Sequence, residues 1–363
     1  MDETSATYFA AVIGGGPAGS ACALRLARLG YPVALIADEP GARVGETGGP
    51  RLTRTMDRSG ISLRRDIGWP VERFHSVWGS ADEAVRDEVF WHATGGRSLP
   101  RPVFDRHLQD AAAEVGATVF RNVSAAGVIC EADRFCIHLR HVGRSATCVA
   151  EFIIEASGRR TRSVVHPDAS RYFVDGLVCA SVLVDLPARM TASAIVEAVP
   201  TGWFYVVPFE GRHVLCFFTD ADLLTARPDA SFLRQMLASS SLLAGLTRVD
   251  GTSGVGVRDA RTSIRTLLWR GKWIVAGDAA WTLDPLSGDG IERAVDSGTA
   301  AADAIVKAFQ SKSSRPLRQY AVASAEKFRR LLAARHDVYG REMRWRQAPF
   351  WRSRALAVSL GSS

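Results

Sequence analysis

Residues 8–40, YFAAVIGGGPAGSACALRLARLGYPVALIADEP, constrain the fold more than any other part of the chain. Apolar residues run without polar alternation over 7–13 and again over 32–37, as in parallel strands covered on both faces. Between them, 17–29 carries apolar residues at helical spacing. Gly14, Gly16 and Gly19 stand at the strand-to-helix junction in the pattern GxGxxG. The first glycine permits the tight turn, the second lets a pyrophosphate approach the backbone, and the third allows helix and strand to pack closely. Pro17 and Ala18 open the helix, whose free N–H groups face phosphate anions. The chain thus starts as a βαβ unit built for a dinucleotide, and this pattern alone does not separate a flavin from a nicotinamide.

The second strand ends on Ala37, where the adenosine ribose normally finds an acidic side chain. Asp38 or Glu39 supplies it if the strand ends a residue later. Otherwise Arg43 and solvent hold the ribose.

Composition narrows the class. The chain has 363 residues, 47% of them hydrophobic and 23% charged, enough for one large or two interlocked domains with a well-buried core. The formal charge of +7 comes almost wholly from dispersed arginines, since the only lysines are Lys272, Lys307, Lys312 and Lys327. No basic run interleaves with aromatics, so the sequence predicts no nucleic-acid groove, while an acidic partner or peptide substrate stays open. The cysteines, Cys22, Cys130, Cys136, Cys148, Cys179 and Cys216, show no CxxC and no Cys/His ligand spacing. They read as small buried hydrophobes in a cytoplasmic protein, with no metal site. The acidic start MDETSATYF is the reverse of a signal peptide, and no apolar run approaches a bilayer span. The segment REMRWRQAPFWRSR (341–354) is expected to pack back on the body, because Pro349 interrupts any continuous amphipathic face.

Along the chain, short strands are expected in HSVWGS and DEVFWHA, then a helix in FDRHLQDAAAEVGA and a strand in TVFRNV. Alternating segments VICEADRFCIHLRHV and SATCVAEFIIEAS predict antiparallel strands. GWFYVVPF and GRHVLCFFTD predict a hairpin around Glu210-Gly211. After GKWIVAGDAA come helical stretches at 289–311 and 316–340. The organisation expected is a discontinuous nucleotide domain (1–73, 97–165 and 266–311), an inserted antiparallel β-sheet domain for substrate (74–96 and 166–265), and a C-terminal helical segment (312–363).

Near the other end of the chain stands WIVAGDAAWTLDPLSGDGIERAVDSGTAAADAI, an apolar strand followed by Gly277-Asp278, Pro285, Gly288, Gly290 and a helix of small residues. Here the sequence resembles the FAD-binding flavoprotein monooxygenases and the related flavin-dependent halogenases. RVGETGGP (43–50), RPVFDRHLQDAAAEVGA (101–117) and EASGRRTR (155–162) extend the likeness over nearly the whole chain. The resemblance implies an α/β fold: a Rossmann-like FAD-binding domain of the PHBH-like, glutathione-reductase type, with an inserted antiparallel β-sheet substrate domain and C-terminal helices. It implies Asp278 on the ribitol of FAD, Pro285, Gly288, Asp289, Gly290 and Ile291 along the isoalloxazine, and Arg101 and Glu46 near the flavin. Asp105 reads as a helix cap or ion pair.

TGWFYVVPF resembles the halogenase WxWxIP signature, with Tyr205 in place of the second Trp. The strand ERFHSVWGS, where a halogenase carries its lysine, has none, and no lysine precedes Lys272. Further likeness is to the small halogenase-like flavoproteins that mature quinone-cofactor enzymes, such as the partner flavoprotein of lysine ε-oxidase, which are associated with oxygenating a tryptophan side chain. The resemblance implies a monooxygenase using reduced FAD and O2, through a flavin C4a-hydroperoxide, on an aromatic ring. That ring is an indole or tryptophan, free or in a polypeptide, in a biosynthetic or cofactor-maturation pathway. His75 is a candidate proton relay, Glu46 and Tyr205 are further candidate catalytic groups, and Trp203, Tyr205, Phe218 and Trp78 read equally as pocket aromatics or as core packing. No second GxGxxG is visible, so NAD(P)H binds without its own domain or a separate reductase supplies electrons. Three other readings stay open: an FAD reductase of the geranylgeranyl-reductase type, a halogenase lacking the usual lysine, and a non-enzymatic flavin-binding partner.

Overall fold

The computed structural model describes residues 6–39, 46–49, 51–85, 96–131, 134–142, 144–224, 228–249 and 254–356. Arg43 and the segment DEVFWHA (87–93) lie outside the described residues. β1 (Ala6–Ile13), α1 (Pro17–Arg28) and β2 (Val33–Ala37) form the expected unit. β1 sits within an eight-stranded sheet, running in order through Trp269–Arg270, Trp273–Val275, Arg144–Glu155, β1, β2 and Thr118–Arg121. From Trp273–Val275 to Thr118–Arg121 every neighbour is parallel. The remaining strands are Ser124–Glu131 and Arg134–His141, an antiparallel meander whose third strand, Arg144–Glu155, runs on alongside β1.

Three strand ends finish at one level. Ile13 pairs with Glu155, and Glu155 with Val275, so Gly14, Ala156 and Ala276 leave the sheet together at its carboxyl edge. Open α/β sheets bind ligands at that edge. On one face lie α1, α2 (Leu52–Arg58), α3 (Arg101–Glu114) and α5 (Gly290–Ser311), around a core that includes Leu24, Leu35, Phe104, Leu108, Ile154 and Ile305. Phe328 of α6 (Arg315–Gly340) packs with Ile137, Ile153 and Trp273 on the other.

α1 and α5 approach closely because glycines leave room. A Cβ at Gly19 would lie 1.8 Å from the Gly14 carbonyl oxygen, one at Gly298 1.9 Å from the Ala18 oxygen, and one at Gly277 2.6 Å from the Ala18 Cβ.

The second large sheet runs through Arg248–Val249, Leu177–Asp185, Arg212–Asp220, Gly202–Phe209, Ser193–Val199, Arg73–Val77 and Ala84–Val85, with Gly256–Asp259 also on Leu177–Asp185. Glu210 and Gly211 close the expected hairpin with φ of 47° and 76°, the left-handed pair that matches strand twist. The sheet departs from a purely antiparallel one at Arg73–Val77, which runs parallel to Ser193–Val199 because it arrives by a crossover from the other domain. One face is covered by α4 (Ala230–Leu237) through Phe232, Leu233 and Leu237. Trp203, Tyr205 and Phe218 point to the other face, packed with Trp78, Tyr339 and with Phe350 and Trp351 of α7 (Pro349–Leu356).

The Arg- and Trp-rich tail therefore does pack back, and Pro349 opens a new helix rather than continuing one. Trp351 donates to the Val199 carbonyl at 2.9 Å, and Arg354 forks onto Asp220 at 2.7 and 2.8 Å. Of the cysteines, Cys22, Cys148, Cys179 and Cys216 are buried, Cys136 is half-buried, and Cys130 is exposed, contrary to the expectation for it.

Gly298→Ala forces a backbone clash and is expected to cost about 1–3 kcal/mol in urea unfolding. Gly245→Ala, with no atom within 4 Å of its added carbon, serves as the near-neutral control.

Candidate functional site

Steric demand sorts the glycines of the two motifs into two kinds. Gly14 needs its positive φ of 118°, and a Cβ there would meet the Ala156 oxygen at 2.2 Å. Gly15 and Gly19 are likewise filled by neighbours. Gly16 is different: its φ of −79° suits any residue, and a Cβ would come no closer than 3.7 Å, to Arg101 Nη2. Gly288 has open space around it and Gly290 meets only Arg293, at 3.7 Å. Protein packing demands glycine at Gly14 and Gly19, whereas at Gly16 and Gly290 the missing side chain leaves backbone open to something outside the chain. Gly16 is the N-cap of α1 and Gly290 the first residue of α5, so both open positions lie at helix starts that favour negative charge. Pro17 and Ala18 are buried, as is Ile291, so these three can offer only backbone.

Ala37 has a packing reason. A Cβ on Gly15 would lie 2.4 Å from the Ala37 Cβ, so the strand end is pressed against the glycine turn and has no room for a longer side chain. Asp38 follows it directly. With Ala37, Pro102, Arg106, Gln109, Arg121 and Asn122 it lines a small cleft, and it pairs with Arg160 at 2.6 Å. Glu39 is exposed and outside that lining.

Asp278 follows Gly277, which has φ of 61°, and pairs with Arg159 at 3.3 Å. Consecutive arginines thus reach the two carboxylates at opposite ends of the site. Neither arginine was assigned a role from sequence, although both lie in EASGRRTR. Pro285 starts a short turn capped by the Asp284 carboxylate, and Gly288 closes it. Asp289 is committed to Arg293 at 2.8 Å and to the Ser287 hydroxyl at 2.5 Å.

β3 (Glu46–Gly48) carries three ties. Glu46 pairs with Arg101, which also forks onto Asp105 through two contacts of 3.0 Å. Burial opposes the charge on Arg101, but the two carboxylates hold it firmly protonated. Asp105 is the ion-pair partner expected of it. Thr47 bonds the Tyr205 hydroxyl at 2.7 Å, and burial pushes that phenol well above its ordinary range. Gly49 donates to Glu292 at 2.8 Å, a residue that no sequence motif singled out.

His75 faces away from Tyr205. Strand alternation puts Phe74 on the Tyr205 face, while His75 pairs with Ile195 and shares its direction, toward the face covered by α4. Its Nδ1 contacts Glu83 at 2.6 Å. It is not brought together with Glu46, Tyr205 and the glycine turns. Trp203, Phe218 and Trp78, for which the sequence leaves pocket lining and core packing both open, are 1%, 4% and 7% exposed. Trp203 stacks on Phe218 at 4.0 Å and donates to the Tyr339 hydroxyl, which donates to Asp284.

With this geometry in hand, the chain's relatives identify the cofactor class. The chain belongs to the FAD binding domain family, which it matches over residues 7–333, and is an FAD-dependent oxidoreductase. It is 26% identical over 373 aligned residues to a protein of Marinomonas mediterranea named as the FAD-dependent oxidoreductase LodB, with 98% of each chain covered. It is 25% identical over 347 residues to a digeranylgeranylglycerophospholipid reductase of Thermoplasma acidophilum, covering 89% of this chain and 85% of that one. In fold it is similar to QhpG, a peptidyl tryptophan dihydroxylase essential for tryptophylquinone cofactor biogenesis. The TM-score is 0.80 at 24% identity, over 96% of this chain and 79% of that one. Among the described residues no helix is long and apolar enough to cross a membrane.

Asp284 tests the buried polar centre. Burial opposes its charge, yet Arg335 at 2.5 Å and the Tyr339 hydroxyl hold its carboxyl below the usual range of about 4. A depressed carboxyl contributes stability that is present above the unfolded value and lost as pH falls through the folded one. Asp284→Asn is expected to cost about 1.5–3 kcal/mol at neutral pH by removing one of the two carboxylates that hold the buried Arg335, Asp175 at 2.7 Å being the other. It is also expected to flatten the acid limb of a stability-against-pH curve measured by urea unfolding.

Proposed function

We propose that the protein is an FAD-dependent monooxygenase that places oxygen on an electron-rich aromatic ring, an indole or tryptophan, free or within a polypeptide. Gly16, Ala18 and Gly19 take the pyrophosphate through backbone N–H groups, while Gly14, whose N–H goes to the Ile36 carbonyl, and Pro17, which has none, shape the turn; Asp38 takes the adenosine ribose, and Asp278 the ribitol. Pro285, Gly288, Asp289, Gly290 and Ile291 form the turn and helix start beneath the flavin ring. FAD, once reduced by NAD(P)H or a separate flavin reductase, supplies the activation of O2. Arg101 and Glu46 hold the neighbouring loop, and Tyr205 orients it through Thr47.

The observation that carries this reading is the aromatic filling of the substrate sheet. A prenyl reductase needs a long apolar channel, whereas the face bearing Trp203 and Phe218 is occupied by Tyr339, Phe350 and Trp351. That filling closes this face to a lipid tail and keeps water from it. The missing lysine argues against halogenation, and likeness to a peptidyl tryptophan dihydroxylase supports a tryptophan ring. Similarity to the phospholipid reductase favours a second reading, hydrogen transfer to an alkene.

Holoenzyme incubated with reductant, oxygen-18 gas and indoles or tryptophan peptides should yield products heavier by labelled oxygen. Products that gain hydrogen, or a chlorine isotope pattern, would replace this reading by the reductase or the halogenase. Arg101→Ala frees the loop, and FAD affinity read by fluorescence titration should drop about tenfold or more, roughly 1.4 kcal/mol.

A further inference from the structure

Glu292 has no task in the reading above. It lies in the first turn of α5, two residues past Gly290, and is 5% exposed. One carboxyl oxygen, Oε1, accepts the Gly49 N–H at 2.8 Å. The other, Oε2, is buried with no hydrogen-bond partner in the protein. A buried polar atom left unmatched costs stability, and native proteins rarely tolerate it without a functional reason. The open positions at Gly288 and Gly290 lie immediately before it on the same turn. On its other side is the loop whose Thr47 holds Tyr205 and whose Glu46 holds Arg101.

We propose that Glu292 is the proton-coupling residue of the flavin site: its carboxylate takes up a proton from solvent when the ring is reduced and returns it on reoxidation. Two electrons enter the ring from the nicotinamide or reductase donor. The proton gained at Oε2 offsets the negative charge placed nearby. The inference rests on FAD lying over this turn and is independent of which substrate is oxidised.

The surroundings suit that role. Burial, with Asp289 adding to it, pushes the carboxyl up to about 7, against the stabilising Gly49 and Glu292 amides and Arg293. The folded protein therefore holds this proton more tightly than the unfolded chain, and stability falls as pH rises from the ordinary carboxylate range to about 7. Other nearby charges are already matched or at the surface. Arg293 pairs with Asp289, Glu46 with Arg101 and Arg58 of α2 with Asp296, while Arg51, Arg54 and Asp57 of α2 are exposed.

If Glu292 served only to clamp Gly49, glutamine would do as well, since its amide oxygen can accept the same bond. The test is a spectroelectrochemical titration of holoprotein between about pH 6 and about pH 8.5, bracketing the carboxyl. Wild type and Glu292→Gln should share one flavin potential on the acid side. Wild type should fall progressively below the variant as pH rises past neutrality, and Glu292→Asp should restore that divergence. Superimposed or parallel curves would overturn the proposal. Should Glu292→Gln fail to hold FAD, proton uptake by wild type during anaerobic photoreduction in weak buffer decides. An uptake near neutrality above that of free FAD supports the proposal, and an equal uptake overturns it. Both readouts concern the flavin alone, so they stand whatever the oxygen-18 experiment finds.

Discussion

The contact between α1 and α5 is the constraint on which the rest of the structure depends. Two helices carrying wide side chains pack with axes 8–10 Å apart. Here Gly298 lets α5 reach the backbone of Ala18, and Gly277 lets the second turn sit on the same alanine. That approach brings the start of α1 and the turn before α5 to one edge of the sheet, although they come from opposite ends of the chain. Register does the remaining alignment, since Ile13, Glu155 and Val275 end their strands side by side.

Above that edge a single short loop joins three bodies. Glu46 reaches α3 through Arg101, Thr47 reaches the substrate sheet through Tyr205, and Gly49 reaches α5 through Glu292. Each tie is a single polar contact in a partly buried place, where such bonds are strengthened and their loss is costly. Arg159 and Arg160 make a comparable bridge on the opposite side, holding Asp278 and Asp38 with neighbouring guanidinium groups.

The C-terminal helices close the arrangement. Tyr339 of α6 takes the Trp203 indole N–H and passes its own hydrogen to Asp284, the residue that caps the turn leading to Gly288. The aromatic filling of the second sheet is thereby linked to the turn before α5 by a buried polar chain, anchored by Arg335. Burying such a chain is worthwhile only when every member is matched, and these members are. The tail is consequently part of the core behind that sheet.

The sequence by itself determined the elements and their chemistry. Unbroken apolar runs, the glycine spacing, the GD turn and the left-handed pair Glu210-Gly211 are local statements, because backbone sterics and side-chain periodicity act over a few residues. It also indicated that the aromatic tail would pack back on the body, while leaving Asp105 open between a helix cap and an ion pair. Tertiary structure alone decided which side of each element matters. Alternation shows that His75 and Phe74 face opposite ways, but only the packing of α4 shows which of the two faces leads away from Thr47. Sequence left Asp38 and Glu39 equal, and in the structure Asp38 alone of the two lines the cleft beside Ala37. Glu292, Arg159 and Arg160 carried no local mark, because an orphaned oxygen or a bridging guanidinium is defined by partners hundreds of positions away, which meet only when the core is packed.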